Sequence, residues 1–393
     1  MTVRMTKPQA TLRELLAGLK KKTGLFGEQI IRSETAADFY NVIGQNRNRF
    51  INGDMRIDQR NAGGSIAISN ELFAVDRTMI ESGGQNSNTG TVQQVTDGPP
   101  GFNKSLKYTA GSSNYNAIGF CAFNQRIEGQ NVQDFAFGTA YAQPITLSFW
   151  VKSSIPGTYT NNITTYNGTN ERWNNQTYTI NTANTWEYKT LTFVGDNLYG
   201  PSNNTTGFMR VYWHLGGDAG SATTTSFNTW FNGTGSKRAA TTQTNLLGTS
   251  GATFFLTGIQ LEKGAVATPF EHRSLGTELA LCQRYFQIVG GTGGTEHFAN
   301  GVTTTDRINI VYNFKQTMRA APSFTATGFG SAFGNLSIYN GITTAIVTGT
   351  NENYMSANSA SIGFTHGGST SAGGAGYIYF NSAAARVAFS AEL

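Results

Sequence analysis

The stretch Phe254 to Phe286, FFLTGIQLEKGAVATPFEHRSLGTELALCQRYF, constrains the fold more than any other. Phe254, Leu256, Gly258 and Gln260 alternate with Phe255, Thr257, Ile259 and Leu261, a period of two that predicts a strand. Lys263-Gly264 then turns the chain. Pro269 keeps Thr268 extended, because its ring disfavours the helical region for the residue before it. The period changes after that: Leu275, Leu279, Cys282 and Tyr285 or Phe286 recur at short helical spacing. A closing strand, a connector and a short helix ahead of a new β-rich region place a domain boundary near residue 272.

The region from Arg49 to Arg273 alternates β-prone runs with Gly, Asn and Thr loops. Strands are predicted at 65–68, 106–110, 115–123, 145–153, 158–166, 186–194, 208–214 and 253–261. Such a series describes a two-sheet sandwich. Leu147, Phe149 and Val151 share one face, and Leu191 and Phe193 are expected opposite them. From Cys282 onward, strands at 285–289, 307–314, 323–327, 353–356, 361–366, 377–380 and 386–391 predict a second, smaller β-sandwich. No βαβ rhythm and no glycine-rich phosphate loop after a strand is present.

Residues 1–46 read differently. Thr11 and Glu14 form a capping box. Leu12, Leu15, Leu16 and Leu19 then lie on one helical face, and Lys20, Lys21 and Lys22 occupy the last turn, where they suit the helix dipole. So short a helix is not stable alone in water, so its leucines must bury against something. The charge supports a terminal arm. Residues 1–60 hold eleven Lys and Arg against six Asp and Glu, which is the whole formal excess of +5. A basic arm on a neutral body predicts docking on an acidic protein partner. Nucleic acid is not expected, because the basic residues are not interleaved with aromatics.

Only 13% of residues are charged, and 47 glycines accompany 8 prolines, as in a β protein rich in turns. Cys121 and Cys282 form no disulfide framework or metal pattern, and Cys121 sits in an apolar run as a core thiol. No signal peptide opens the sequence, and no apolar run is long enough to span a membrane. Synthesis in a reducing cytoplasm is the expectation.

Catalytic patterns are sparse. The four histidines, His214, His272, His297 and His366, lie in no nucleophile elbow or zinc helix. Asp and Glu fall in turns or near strand ends, so the chain is not expected to be an enzyme. Asp54 and Glu262 could meet at a domain seam and hold Ca²⁺ with backbone carbonyls; two solvated carboxylates are the alternative. No other cofactor is implied. Glycan binding has a clearer basis. A sugar ring offers an apolar C–H face to an aromatic platform and a hydroxyl rim to polar side chains. Trp173 and Trp230 lie outside the clear strand patterns, among Asn and Gln. They read either as sugar platforms or as loop packing or a subunit interface. Of Trp150, Trp186 and Trp213, at least two are expected in the core. Tyr354 and Tyr377, with Tyr339, His366 and Tyr379, form a rival C-terminal contact surface.

GIQLEKGAVATPFEHRSLGTELALCQRYFQ resembles the junction found in phage tail-fibre and other virion proteins, and NRFINGDMRIDQRN (Asn48 to Asn61) resembles the opening of the same module. SLKYTA, LSFWVKSS and WEYKTLTFVGD fit its middle strands. The resemblance spans roughly residues 47–290. It implies an all-β fold: a jelly-roll β-sandwich similar to carbohydrate-binding modules over 47–272 and a smaller C-terminal β domain over 273–393, preceded by the short helical arm that residues 1–46 predict, which either anchors the protein or packs on its own globular domain. It also implies a homotrimeric virion fibre or spike, made in the host cytoplasm. The arm would join other virion proteins, and the body would adhere to bacterial surface polysaccharide. The resemblance favours a structural calcium. The alternative is a structural capsid-decorating or neck/tail connector protein that binds no sugar.

Overall fold

The computed structural model describes residues 47–83, 90–111, 120–217, 223–224, 226–233, 239–290, 296–327, 336–339, 344–367, 372–380 and 385–393. The arm predicted from sequence, with Leu12, Leu15, Leu16, Leu19, Lys20, Lys21 and Lys22, lies outside these residues.

The first body contains β1 (Ile66–Ala67), β2 (Glu71–Val75), β3 (Thr78–Gly83), β4 (Thr91–Val95), β5 (Ser105–Thr109), β6 (Phe120–Glu128), β7 (Ile145–Ser153), β8 (Gly157–Tyr166), β9 (Glu171–Ile180), β10 (Glu187–Phe193), β11 (Gly207–Gly217), β12 (Thr223–Thr224), β13 (Phe231–Asn232), β14 (Ala239–Ala240) and β15 (Thr253–Lys263). One sheet runs β1-β4-β5-β15-β7-β10, and the other runs β13-β9-β8-β11-β6-β3-β2. Their pairings are antiparallel, and the two inner faces share one core. Phe149 of the first sheet meets Trp213 of the second edge-on at 5.6 Å. Phe254 faces Phe123 at 6.5 Å, tilted at 43°. This is the expected all-β sandwich.

Three details differ from the sequence reading. Leu191 and Phe193 do not oppose Leu147 across the core; β10 pairs with β7 in one sheet, with Leu191 beside Leu147 and Phe193 beside Ile145. The alternation of β15 is interrupted by a bulge between Thr257 and Gln260, so Phe254 and Leu256, then Ile259 and Leu261, face inward. Strand β9, ERWNNQTYTI, reads as a polar loop in sequence. Its ten pairings with β8 hold it in the sheet, and Tyr178 and Ile180 reach the core.

Helix α1 (Leu275–Gln283) follows, capped by Ser274, whose hydroxyl accepts from Thr277 N at 3.2 Å. The remaining strands are β16 (Phe286–Gly290), β17 (Glu296–Thr303), β18 (Arg307–Asn313), β19 (Ser323–Thr327), β20 (Leu336–Tyr339), β21 (Thr344–Met355), β22 (Ser359–His366), β23 (Ala375–Phe380) and β24 (Arg386–Ser390). In place of two open sheets, six of them close in the order β17-β18-β22-β21-β20-β23, and β16-β24-β19 forms a small sheet against them. Tyr312 of β18 stacks on Phe389 of β24 at 5.3 Å within one shared core. Closure leaves the six strands no edge to protect.

A third cluster lies between the bodies, where Ile51 and Ile57 pack with Cys282 and Tyr285. Glu128, fully buried, receives both Arg284 Nε (3.0 Å) and Nη2 (2.9 Å). Arg77 lies 3.5 Å over the Tyr285 ring and pairs with Glu392. Cys121 and Cys282 are both buried thiols outside any disulfide.

Candidate ligand-binding groove

The outer face of the first sheet carries an aromatic groove. In β7 the inward turn of Leu147, Phe149 and Val151 sends Thr146, Trp150 and Lys152 outward. Tyr188 of β10 stands directly beside Trp150, with ring centroids 5.3 Å apart at 49°. Thr257 of β15 flanks Trp150 on its other side. The bulge at Gly258, with φ of +60°, lets Phe102 close over this floor; a side chain there would collide with both rings. Phe102, Phe270 and His272 then form a wall, their centroids 4.8–5.3 Å apart. The groove encloses about 890 Å³, and Thr146, Thr190 and Thr192 line it with hydroxyls.

The wall is held from below by buried polar groups. Glu262 accepts from Thr268 N at 2.8 Å, Thr268 Oγ1 at 2.6 Å and Gln260 Nε2 at 2.9 Å. Gln260 Oε1 accepts from Glu271 N at 2.8 Å. Thr146 Oγ1 ties the strap at Gly264 O, at 2.7 Å. Burial pushes the Tyr188 phenol up, against a hydrogen bond from Ser148. Its hydroxyl is therefore a neutral donor at physiological pH.

Beyond Trp150 along the same face, the character changes. Phe255 pairs with Lys107 on one side and Lys152 on the other. The Lys152 ammonium stands 4.2 Å over Phe255 and 5.1 Å over Trp186. It also donates to Asp97 Oδ2 at 2.6 Å, and Trp186 Nε1 donates to Asp97 Oδ1 at 3.2 Å. Partial burial opposes ionisation of Asp97, but these hydrogen bonds and the Lys152 and Lys107 charges outweigh it and hold the carboxyl below its usual value.

The structure separates the residues chosen from sequence. Trp173 is on β9, 2% exposed and stacked on Tyr212 at 5.7 Å, so it is packing and not an open platform. Trp230 is half-buried. Its Nε1 donates to Val194 O at 2.7 Å, and it lines a smaller polar pocket of about 510 Å³ with Arg172 and Asn228. Arg172 is itself paired with buried Asp196 at 3.2 Å. Tyr354 is 69% exposed. Tyr377 belongs to an outer row on the closed sheet, 4.5 Å from His297, 5.4 Å from Tyr339 and 5.9 Å from Tyr379. Asp54 pairs with Arg56, and Glu262 is taken up by Thr268 and Gln260. Among the described residues no three His, Cys, Asp or Glu side chains converge. Of Trp150, Trp186 and Trp213, only Trp213 is in the core.

Sequence reasoning missed Trp150 and Tyr188 as surface rings. The signal was present, because Trp150 sits between Phe149 and Val151 and must take the opposite face. The wall of Phe102, Phe270 and His272 had no sequence signal, since loops far apart in the chain bring it together.

No family model matches the chain, and no curated protein matches it. Among solved structures it is similar to the enzymatically active domain of bacteriophage CBA120 tailspike protein 4, at 13% identity and TM-score 0.32 over 55% of this chain and 21% of that one. This chain thus spans about a fifth of that structure's length. It is also similar to a family 11 carbohydrate-binding module from Clostridium thermocellum in complex with a β-1,3-1,4-mixed-linked tetrasaccharide, at 10% identity and TM-score 0.27 over 52% of this chain and 99% of that one. TmCBM61 in complex with β-1,4-galactotriose gives 10% identity and TM-score 0.27 over 55% and 99%. Among the described residues no helix is long and apolar enough to cross a membrane.

Proposed function

We propose that this protein is a glycan-binding adhesin whose site is the groove over Trp150 and Tyr188. The observation that carries the reading is the pair of adjacent rings on the groove floor, faced by a wall of three more rings and edged by threonine hydroxyls. A pyranose can lay its C–H face on such a floor while its hydroxyls meet Thr190 and Tyr188. The floor is built on strands, and the wall is fixed by Glu262 and Gln260, so little ordering cost falls on binding. The proposed action is binding without bond cleavage.

The wider setting we propose is a phage virion fibre or spike acting on a bacterial surface polysaccharide. It is supported by the tail-fibre resemblance of 254–286 and 48–61, and by the concentration of positive charge in the first sixty residues. In this setting residues 1–46 anchor the protein to other virion proteins. Assembly as a homotrimer would amplify weak single-site binding through avidity. Purified protein should bind host cells or their extracted surface polysaccharide saturably, and Trp150→Ala and Tyr188→Ala should each weaken this with the melting temperature retained. Unchanged binding in both variants would remove the groove from the function. Deletion of 1–46 should leave glycan binding intact and abolish incorporation into particles; normal incorporation would refute the anchor.

A further inference from the structure

We propose that the ligand of the groove is an anionic glycan, its acidic substituent taken by Lys107 and Lys152 next to the ring that stacks on Trp150 and Tyr188. This deepens the glycan reading and rests on it. The strand register places the two features side by side. On the outer face of β15, Thr257 lies beside Trp150, and Phe255, two residues earlier, lies between Lys107 and Lys152. Two strand residues span about 7 Å, of the order of one pyranose ring, so neighbouring parts of one chain can reach both.

The charge on the same sheet face just beyond the groove lining is unbalanced. Lys104, Lys107 and Lys152 gather there, and Asp97 is the carboxylate paired with Lys152. Lys104 donates to a neutral partner, Thr96 Oγ1, at 3.0 Å. Lys107 is placed by its ring contact, with the ammonium 5.7 Å from the Phe255 centroid. Phe255 is 8% exposed and Trp186 packs on it edge-on at 6.1 Å, so the aromatic base beneath the two ammoniums is fixed. Positively charged donors held on a rigid apolar base suit a carboxylate or sulfate ester, because charge-assisted hydrogen bonds are the stronger class. The groove floor itself contributes no opposing carboxylate among its lining residues. A neutral glycan would leave the lysine end unused.

The test compares carboxylated polysaccharides (polygalacturonate, alginate and hyaluronan) with the same polymers after carboxyl reduction, using the full chain. We expect a carboxylated form to bind more tightly than its reduced counterpart, and the difference to shrink as salt rises from low to high. Lys107→Gln should lower affinity for the carboxylated form about two- to fivefold and leave the reduced form unaffected. Trp150→Ala should weaken both. Equal binding of the two forms, lost in Trp150→Ala, would overturn the anionic reading and leave the glycan reading standing. Failure of the folded protein to bind either set would overturn both.

Discussion

The backbone of Gly258 lies under the Trp150 indole, so close that a β-carbon there would stand 2.9 Å from Trp150 Cδ1 and 2.9 Å from Phe102 Cζ. The same residue carries the bulge that turns Ile259 and Leu261 back to the core. Gly258→Ala should therefore destabilise the protein by about 1–3 kcal/mol and displace the two rings. A thermal melt should show the loss, and polysaccharide affinity should fall with it. An unchanged melting temperature would mean the strand absorbs the change.

Thr268 holds the groove wall through a 2.6 Å hydrogen bond to Glu262 and a 3.0 Å bond from Gln260. Thr268→Val removes both while keeping the shape of the side chain. It should cost about 1–2 kcal/mol and weaken glycan binding more than it lowers the melting temperature. Because Glu262 is committed to this strap, a chelator should leave the melting temperature where it is. A chelator-dependent fall would restore Glu262 as a cation ligand.

Arg284 is the main partner of the buried Glu128 carboxylate, with Tyr285 donating its phenol to the same group. Arg284→Ala leaves a buried charge short of its cation and should cost about 2–4 kcal/mol. Calorimetry should show the loss as a lower or split unfolding transition, since the pair joins the sandwich to the segment leading into the closed sheet.

Asp76 gives the junction a pH dependence. Burial pushes its carboxyl up to about 7, against the hydrogen bond from Gln59 N and the Arg60 charge, with Glu392 and Asp58 adding to the rise. An acid whose pKa is raised on folding binds more protons in the folded state between its two pKa values. Its contribution to stability is thus largest below its unfolded pKa near 4 and is lost as pH rises through about 7. Wild type minus Asp76→Asn stability should therefore fall between pH 4 and pH 7, by on the order of a few kcal/mol. Denaturant titrations of both proteins over that range measure it. A flat difference would contradict the assignment.

Much of the architecture is legible from alternation alone. Strands such as β7 and β15 carry β-branched and aromatic residues at a period of two, and helix α1 shows Leu275, Leu279 and Cys282 at helical spacing. What stays hidden is what depends on partners. β9 becomes a strand because β8 pairs with it, not because Asn, Gln and Glu favour one. Trp173 among those polar neighbours reads either as a platform or as packing, and Tyr212 and the segment around Gly233 cover it. Trp173→Ala should accordingly cost about 3–5 kcal/mol of stability and act on binding only through unfolding. Closure of the second domain is likewise a matter of which strands pair, and composition does not encode that. The candidate site follows the same division: the facing of Trp150 could be read from its neighbours, whereas the wall could not.

The most direct test of the account is calorimetric titration of host surface polysaccharide into the wild type, Trp150→Ala and Trp230→Ala, each first shown to be folded. The account predicts an affinity loss of at least about tenfold for Trp150→Ala and little change for Trp230→Ala. Retention of full affinity by Trp150→Ala would contradict it.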